Sequence, residues 1–274
     1  MNIVNLYFVV TFIISWSGVF VISMYTGIPA SVSDFSRIGP IAFLPFLLGP
    51  TITSFGIIWW KEGVSGLKIL KNIIAKVRLS YLWYIFSIVL IPITCIFSLY
   101  ILSFFSHDFT PKILIDEDKS TLVITGLLSG LIGGGILEEL GWTCFAARFL
   151  LPKYGIFKSG FLIGSIWGLW HFLPVFWGCG DDKGRLSLPQ FLPGLFFHYF
   201  GLIPYRILLV WAFSRTYSFV IPMLMHTSLT CCLFFLFNIH ATGLSLFYYY
   251  TTVSIILWII VASLRSSKSS SKTG

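Results

Sequence analysis

Long apolar stretches alternate with short polar segments along the whole chain. Eight of these stretches are each long enough to cross a hydrocarbon core of about 30 Å as an α-helix. The pattern therefore predicts an all-α fold, a polytopic membrane helix bundle of about eight transmembrane helices. The predicted spans are 4–26, 40–60, 81–105, 120–147, 159–176, 190–213, 217–238 and 245–264.

Composition agrees with this pattern and excludes a soluble domain. Hydrophobic residues make up 57% of the chain and charged residues only 10%, with a mean hydropathy of +0.90. The chain is predicted to form a single transmembrane domain, 1–264, followed by a disordered Ser/Lys-rich tail, 265–274. The five cysteines follow neither a disulfide pattern nor a CxxC metal pattern, and they are interpreted as packing residues.

Basic residues are distributed unequally between alternate loops. With both termini placed in the cytoplasm, 12 Lys and Arg residues lie inside and 5 lie outside. This bias predicts an integral, multi-pass protein, in the cell membrane if the host is bacterial or archaeal. The net charge of +8 is then a consequence of insertion, so membrane lipid is the expected partner and nucleic acid is not. The basic segment 61–78 also has the spacing of a short interfacial amphipathic helix.

Ionisable residues inside predicted spans are costly and usually mark a functional site. Two adjacent glutamates, Glu138 and Glu139, lie in the fourth span. His171 lies late in the fifth, Arg206 in the sixth and His226 in the first half of the seventh. His198, also in the sixth span, is a further candidate for lining a cavity.

The depths of three of these residues agree. At 1.5 Å per residue, Glu138 and His226 lie roughly 14 Å from the inner ends of their helices, and His171 roughly 18 Å. Because independent polar residues would show no such agreement, Glu138, His171 and His226 are predicted to meet.

Helical spacing adds two expectations. Trp142 shares a helix face with Glu138, as Trp167 does with His171, so each indole is expected to wall the site and to offer an N–H donor. Two stripes of small residues predict that spans four and five pack tightly against each other, bringing Glu138 and His171 together. The stripes are Gly126, Gly130 and Gly134 in span four, and Gly160, Gly164 and Gly168 in span five.

Two chemistries suit this set of residues, and both are hydrolytic. Glu138, His171 and His226 can hold a divalent metal such as Zn²⁺ with one open position for water. Alternatively, a glutamate activates water directly and a histidine shapes an oxyanion site. Neighbouring helical positions differ by about 100° in direction, so Glu139 need not act in the chemistry itself.

These residues resemble three motifs of the CPBP family of intramembrane proteases, which includes the type II CAAX prenyl endopeptidases and bacteriocin-immunity relatives. Glu138-Glu139 matches the Glu-Glu pair of the first motif. Trp167 and His171 match an aromatic residue four positions before a histidine, and His226 matches the histidine of the third motif. The motifs occur in the family's order over about 138–230, and the eight-span plan is also similar.

Two positions depart from the family pattern. Thr143 stands where the first motif has Arg, and Thr230 stands where the third has Asn or Asp. The first departure removes a cation, and we hypothesise that Arg206 supplies it from another helix. The second keeps a hydroxyl donor but loses an amide or an acid.

The resemblance implies an endopeptidase that hydrolyses a peptide bond of a membrane-associated peptide or protein, with a catalytic core at about 120–238. It implies that Glu138 activates water together with His171. It also implies that His226 and Thr230 complete a metal site or stabilise the oxyanion, with Glu139 in support. Whether such proteins need Zn²⁺ or work as glutamate proteases stays open.

Two other classes of function remain alternatives. The Thr143 and Thr230 departures leave room for a catalytically impaired immunity protein or partner-binding protein. A transporter or proton relay would also use intramembrane Glu and His, but the chain has no inverted repeat. For each residue alone a structural role is possible, since a buried Glu can simply pair with an Arg and a His can satisfy an interhelical hydrogen bond.

Overall fold

The fold was obtained as a computed structural model that describes residues 2–270, without the side chains of residues 39–42 and 266–270. This part of the chain is helical and contains no strand; a single antiparallel bridge joins Gly180 and Leu186. The helices are α1 (Ile3–Thr26), α2 (Val32–Ala75), α3 (Tyr81–Ser103), α4 (Lys112–Ile115), α5 (Lys119–Leu128), α6 (Glu139–Gly141), α7 (Arg148–Gly178), α8 (Leu188–Phe200), α9 (Leu202–Thr216), α10 (Val220–Ser228) and α11 (Leu244–Ser270).

The predicted all-α membrane bundle is confirmed. In the described part of the chain, six helical stretches are long and apolar enough to cross a bilayer, and a seventh, Val220–Leu236, is apolar but shorter. One of the six, Lys119–Gly178, is a continuous run of 60 residues that covers two predicted spans. Gly155, with φ 71° and ψ 180°, interrupts its helical geometry and separates these two spans. The count of eight stays a prediction.

The basic segment after the second span is helical, as its spacing suggested. α2 bends at Gly63, where φ is 57°, and continues to Ala75. Leu70 and Ile73 are buried on this last part of α2, whereas its lysines are exposed. At the other end of the chain, α11 extends to Ser270 and includes part of the predicted tail; residues 271–274 lie outside the described residues.

Three segments of π-helix interrupt the regular helices next to the ionisable residues. They span Ser129–Glu138, Trp142–Ala147 and Leu229–Leu236. The first is rich in buried glycine, so the neighbouring α10 can approach its backbone closely. π-Helical segments are rare and are frequently found at functional sites. Glu138 ends the first of these segments and Thr230 lies in the third, and the two segments are in contact.

The expected contact between the two glycine stripes is wrong. Gly130 and Gly134 lie against Thr227 and His226, in the seventh predicted span. Gly160 and Gly164 lie against α9, and Gly168 lies against the backbone of α8. Small residues allow two helices to approach closely, but they do not specify which partner approaches. Spans four and five meet near the site through a long side chain instead, the indole of Trp167.

Candidate active site

Glu138 lies at the end of the first π-helical segment with only 3% of its surface exposed. Trp167 of α7 donates its indole N–H to Oε2 of Glu138 at 2.7 Å. The described structure gives the other oxygen, Oε1, no hydrogen-bond partner. Glu138 is therefore oriented through one oxygen, and the second is available to accept a proton.

Glu139, the next residue, is fully buried and both of its oxygens are bound. Arg206 contacts Oε2 at 2.7 Å, and Thr143 donates its hydroxyl to the same oxygen. His226 approaches Oε1 with Nδ1 at 2.7 Å. A buried carboxylate with this many charge-assisted partners is a stable anion and a poor proton acceptor. The two neighbouring glutamates thus occupy very different environments.

Thr143 and Arg206 converge on one oxygen of Glu139, although they come from different helices. This geometry supports the hypothesis that Arg206 supplies a cation at the position where Thr143 lacks one. The guanidinium of Arg206 also lies 4.0 Å from the centre of the Trp167 ring, a cation–π contact. Trp167 thereby links the Arg206–Glu139 pair to Glu138.

His226 and Thr230 share one space beside Gly134. A Cβ atom added at Gly134 would lie 2.6 Å from Nε2 of His226 and 2.9 Å from Oγ1 of Thr230. Both polar atoms therefore lie close to a single point. Nδ1 of His226 is occupied by Glu139, so Nε2 is the nitrogen available to a ligand. Thr230 can donate its hydroxyl to a negative charge at this point, and His226 can donate through Nε2 when both of its ring nitrogens carry hydrogen.

We expect Gly134→Ala to lower kcat by at least about 100-fold, because a methyl group there would displace His226 and Thr230, the two side chains predicted to bind the oxyanion. The neighbouring Gly133→Ala is the matched control, since its Cβ would meet only the flexible end of Leu47 at 3.3 Å. Initial rates of peptide cleavage by the two purified variants test this expectation. Equal activity of the two variants would contradict it.

His171 lies beyond Trp167 and does not contact Glu138 directly. Its Nδ1 lies 2.9 Å from the carbonyl oxygen of Trp167, which can only accept, so Nδ1 donates and Nε2 is available. The His171 ring packs edge-on against Trp170, with a centroid distance of 4.8 Å. No hydrogen bond joins His171 to Glu138 among the described residues. The structure thus places the His171 ring next to the rings of Trp167 and His198.

Trp142 was expected to wall the site and to offer a donor, but the structure gives the donor role to Trp167. The Trp142 ring packs between Tyr7 of α1 and Trp170 of α7, at centroid distances of 5.7 and 5.6 Å. Its indole N–H is buried without a partner. One π-helical segment ends at Glu138 and the next begins at Trp142, with the short α6 between them, so the regular four-residue spacing of a long α-helix does not apply there.

Sequence reasoning did not single out Tyr7 or Phe46, which help to pack the site. Tyr7 is fully buried against Trp142, and Phe46 stacks on Trp170 at a centroid distance of 3.7 Å. Both lie in uniformly apolar spans, where an aromatic residue carries no signal of its position in the bundle. Only the packing of α1 and α2 against α7 reveals them.

The predicted metal ligands do not form a ligand set. Within the described residues, no group of three or more His, Cys, Asp and Glu side chains is arranged to hold a metal ion. No hydrogen bond joins Glu138 to His171 or to His226 among these residues. The arrangement does not fit a three-ligand zinc site, so no chemical step is derived through a metal.

Comparison with known proteins finds a similarity that covers the candidate site. Residues 120–232 match the family model described as type II CAAX prenyl endopeptidase Rce1-like. Over this segment the chain is similar to that family, as the motifs in its sequence predicted. The chain is also 25% identical over 240 residues to a protein named CAAX prenyl protease 2 from Methanococcus maripaludis, covering 81% of this chain and 80% of that relative.

The matched segment contains all five ionisable residues of the candidate site and both departures from the family motifs. With six candidate spans among its described residues, the protein is an integral, multi-pass membrane protein, and its matched segment is similar to CAAX/Rce1-type intramembrane proteases. The cytoplasmic placement of its termini stays a prediction.

Proposed function

We propose that this protein is an intramembrane endopeptidase of the CPBP type in which Glu138 activates the attacking water. The observation that carries the proposal is the unequal pairing of the two glutamates. Oε1 of Glu138 has no protein partner, whereas both oxygens of Glu139 are bound. Two carboxylates whose environments differ this strongly are typical of a division into a base and a permanent anion.

In the proposed reaction, Oε1 of Glu138 takes a proton from water as the water oxygen bonds to the peptide carbonyl carbon. The carbonyl oxygen becomes an oxyanion. The C–N bond then breaks, and the proton held by Glu138 passes to the leaving nitrogen. The products are a carboxylic acid and an amine. Nε2 of His171 accepts a hydrogen bond from the second O–H of the water, which keeps this proton, and so orients the attacking oxygen.

The proposed oxyanion site consists of His226 and Thr230. In the imidazolium form, His226 donates Nδ1–H to the Glu139 carboxylate and Nε2–H to the oxyanion, while Thr230 donates its hydroxyl. Glu139 holds the ring orientation of His226, and Arg206 and Thr143 hold Glu139. Because His226 is buried, its effect on a developing charge is larger than it would be in water.

The substrate class is proposed from the names of the two matches. The family is described as a CAAX prenyl endopeptidase, and the relative is named a CAAX prenyl protease. We therefore infer that prenylated peptides with a CAAX C-terminus are the first substrates to test. Both names describe a protease, so the matches do not favour a partner-binding protein without activity.

The experiment is cleavage of a farnesylated CAAX peptide, and of the same peptide without the lipid, by the purified protein in proteoliposomes. Mass spectrometry of the products identifies the bond that is cleaved. Cleavage by the wild type that disappears in Glu138→Gln supports the proposal. Equal cleavage by both proteins would contradict the assignment of Glu138.

Because the described residues do not form a three-ligand zinc site, we propose the glutamate mechanism over a zinc mechanism. Treatment with EDTA or 1,10-phenanthroline is expected to change the cleavage rate less than about twofold. A loss of activity that added Zn²⁺ restores would contradict the glutamate mechanism and would show that Zn²⁺ is required.

A further inference from the structure

His198 of α8 has no role in the proposed reaction, yet it lies beside the site. Its ring centroid is 4.8 Å from that of His171, with a tilt of 45° between the ring planes. Phe234 lies parallel to the other side of the ring at a centroid distance of 6.3 Å. Only 9% of His198 is exposed. The ring is therefore held in one place next to His171.

The hydrogen bonds of His198 define which nitrogen can bind a ligand. Nδ1 lies 2.6 Å from the carbonyl oxygen of Gly194, which can only accept, so Nδ1 carries the hydrogen. In the neutral ring, Nε2 then presents a lone pair. The described structure gives this Nε2 no hydrogen-bond partner. His198 thus offers a fixed acceptor beside the site.

A peptide that enters a membrane-buried cavity needs acceptors for its backbone N–H groups, because each unpaired group is costly away from water. In the proposed reaction, Glu138 takes one proton of the attacking water, and His171 accepts a hydrogen bond from the other O–H. His198 is the neighbouring acceptor that remains.

We propose that His198 is a substrate-binding residue whose Nε2 accepts a hydrogen bond from a backbone N–H of the peptide near the scissile bond. The inference rests on one part of the proposed function, namely that a peptide binds at the candidate active site. It requires binding of the peptide and does not require that the peptide be cleaved.

The first test compares His198→Ala and His198→Gln, with the exposed outer-loop variant His107→Ala as control. Loss of one neutral hydrogen bond that is present in both ground and transition states is expected to raise KM about tenfold and to leave kcat within about threefold. The Gln oxygen can accept the same hydrogen bond, so His198→Gln should recover most of the loss. A fall in kcat alone, or no recovery in His198→Gln, would overturn the proposal.

The second test identifies the hydrogen bond itself. In a series of farnesylated CAAX peptides, each amide N–H near the scissile bond is replaced in turn by an ester oxygen. At one position the ester should weaken wild-type recognition about tenfold but leave recognition by His198→Ala unchanged, because the two changes remove the same contact. Equal losses for both proteins at every position would overturn the proposal.

Binding of the same peptides to Glu138→Gln, with and without His198→Ala, separates this inference from the proposed function. If Glu138→Gln still cleaves, the role of Glu138 fails, and a Kd penalty specific to His198→Ala still supports the inference. If Glu138→Gln is inactive and His198→Ala binds every peptide as wild type does, the His198 inference fails alone. Absence of peptide binding to all these proteins would overturn it as well.

Discussion

Glu138→Gln is expected to lower kcat about 1,000-fold, within the range of general-base contributions. The amide oxygen of glutamine can still accept the indole N–H of Trp167, so the side chain should keep its position. What is lost is the ability to take a proton from water. The variant should therefore fold and melt as the wild type does, while cleavage of the farnesylated peptide nearly disappears.

The matched control for this change is Glu117→Gln. Glu117 is exposed in a loop, so the same loss of one negative charge there should leave cleavage unchanged. Retention of more than about a tenth of wild-type activity by Glu138→Gln would contradict the proposed base. If Glu138→Gln no longer cleaves peptide but still produces a cellular effect that requires a partner protein, that effect depends on binding and not on hydrolysis.

Arg206→Ala is expected to have the largest effect on stability. Arg206 and Glu139 are both fully buried, and removal of one partner of a buried ion pair typically costs about 3–5 kcal/mol, because the other charge stays buried without compensation. Glu139 would also lose the group that fixes its position, so His226 would be held less firmly. Thermal unfolding in detergent and cleavage rates should both decrease.

A second substitution tests whether the site needs a cation beside the carboxylate of Glu139. Thr143 already contacts the same oxygen as Arg206, so Thr143→Arg in the Arg206→Ala background can return a guanidinium to Glu139. We expect part of the lost thermal stability and activity to return. Arg215→Ala, an exposed position on the same helix, is the control and should change neither.

If Arg206→Ala keeps wild-type activity while Glu138→Gln is inactive, Arg206 does not serve the reaction. If Arg206→Ala is impaired and Thr143→Arg restores nothing, the pair has a packing role specific to Arg206. The two outcomes separate a cation requirement from the structural role that any intramembrane Glu–Arg pair can have.

Helix bounds were largely predictable from the sequence. The first span was predicted at 4–26 and is Ile3–Thr26, and the third was predicted at 81–105 and is Tyr81–Ser103. Backbone hydrogen bonds must be satisfied within a span, so the length of an apolar stretch nearly fixes the length of its helix. The agreement in depth that grouped Glu138 with His171 and His226 depends on the same regular rise per residue.

The choice of helix partners was not predictable in the same way. Both glycine stripes mediate close contacts, but with helices other than those expected. The donor to Glu138 is Trp167 and not Trp142. π-Helical segments around Glu138 change the angle at which successive side chains project, and an apolar sequence gives little indication of where such segments occur.

From the sequence alone it follows that the chain forms a membrane helix bundle and that a few ionisable residues lie at one depth within it. Burial of a charge in lipid is so costly that composition and position suffice for both conclusions. The pairing of these residues follows from the three-dimensional arrangement of the helices, in which Glu139 pairs with Arg206 and His226 and Oε1 of Glu138 is left without a partner. The spans are apolar on most sides, so their hydrophobic pattern does not set the rotation of each helix, and rotation decides which side chains meet.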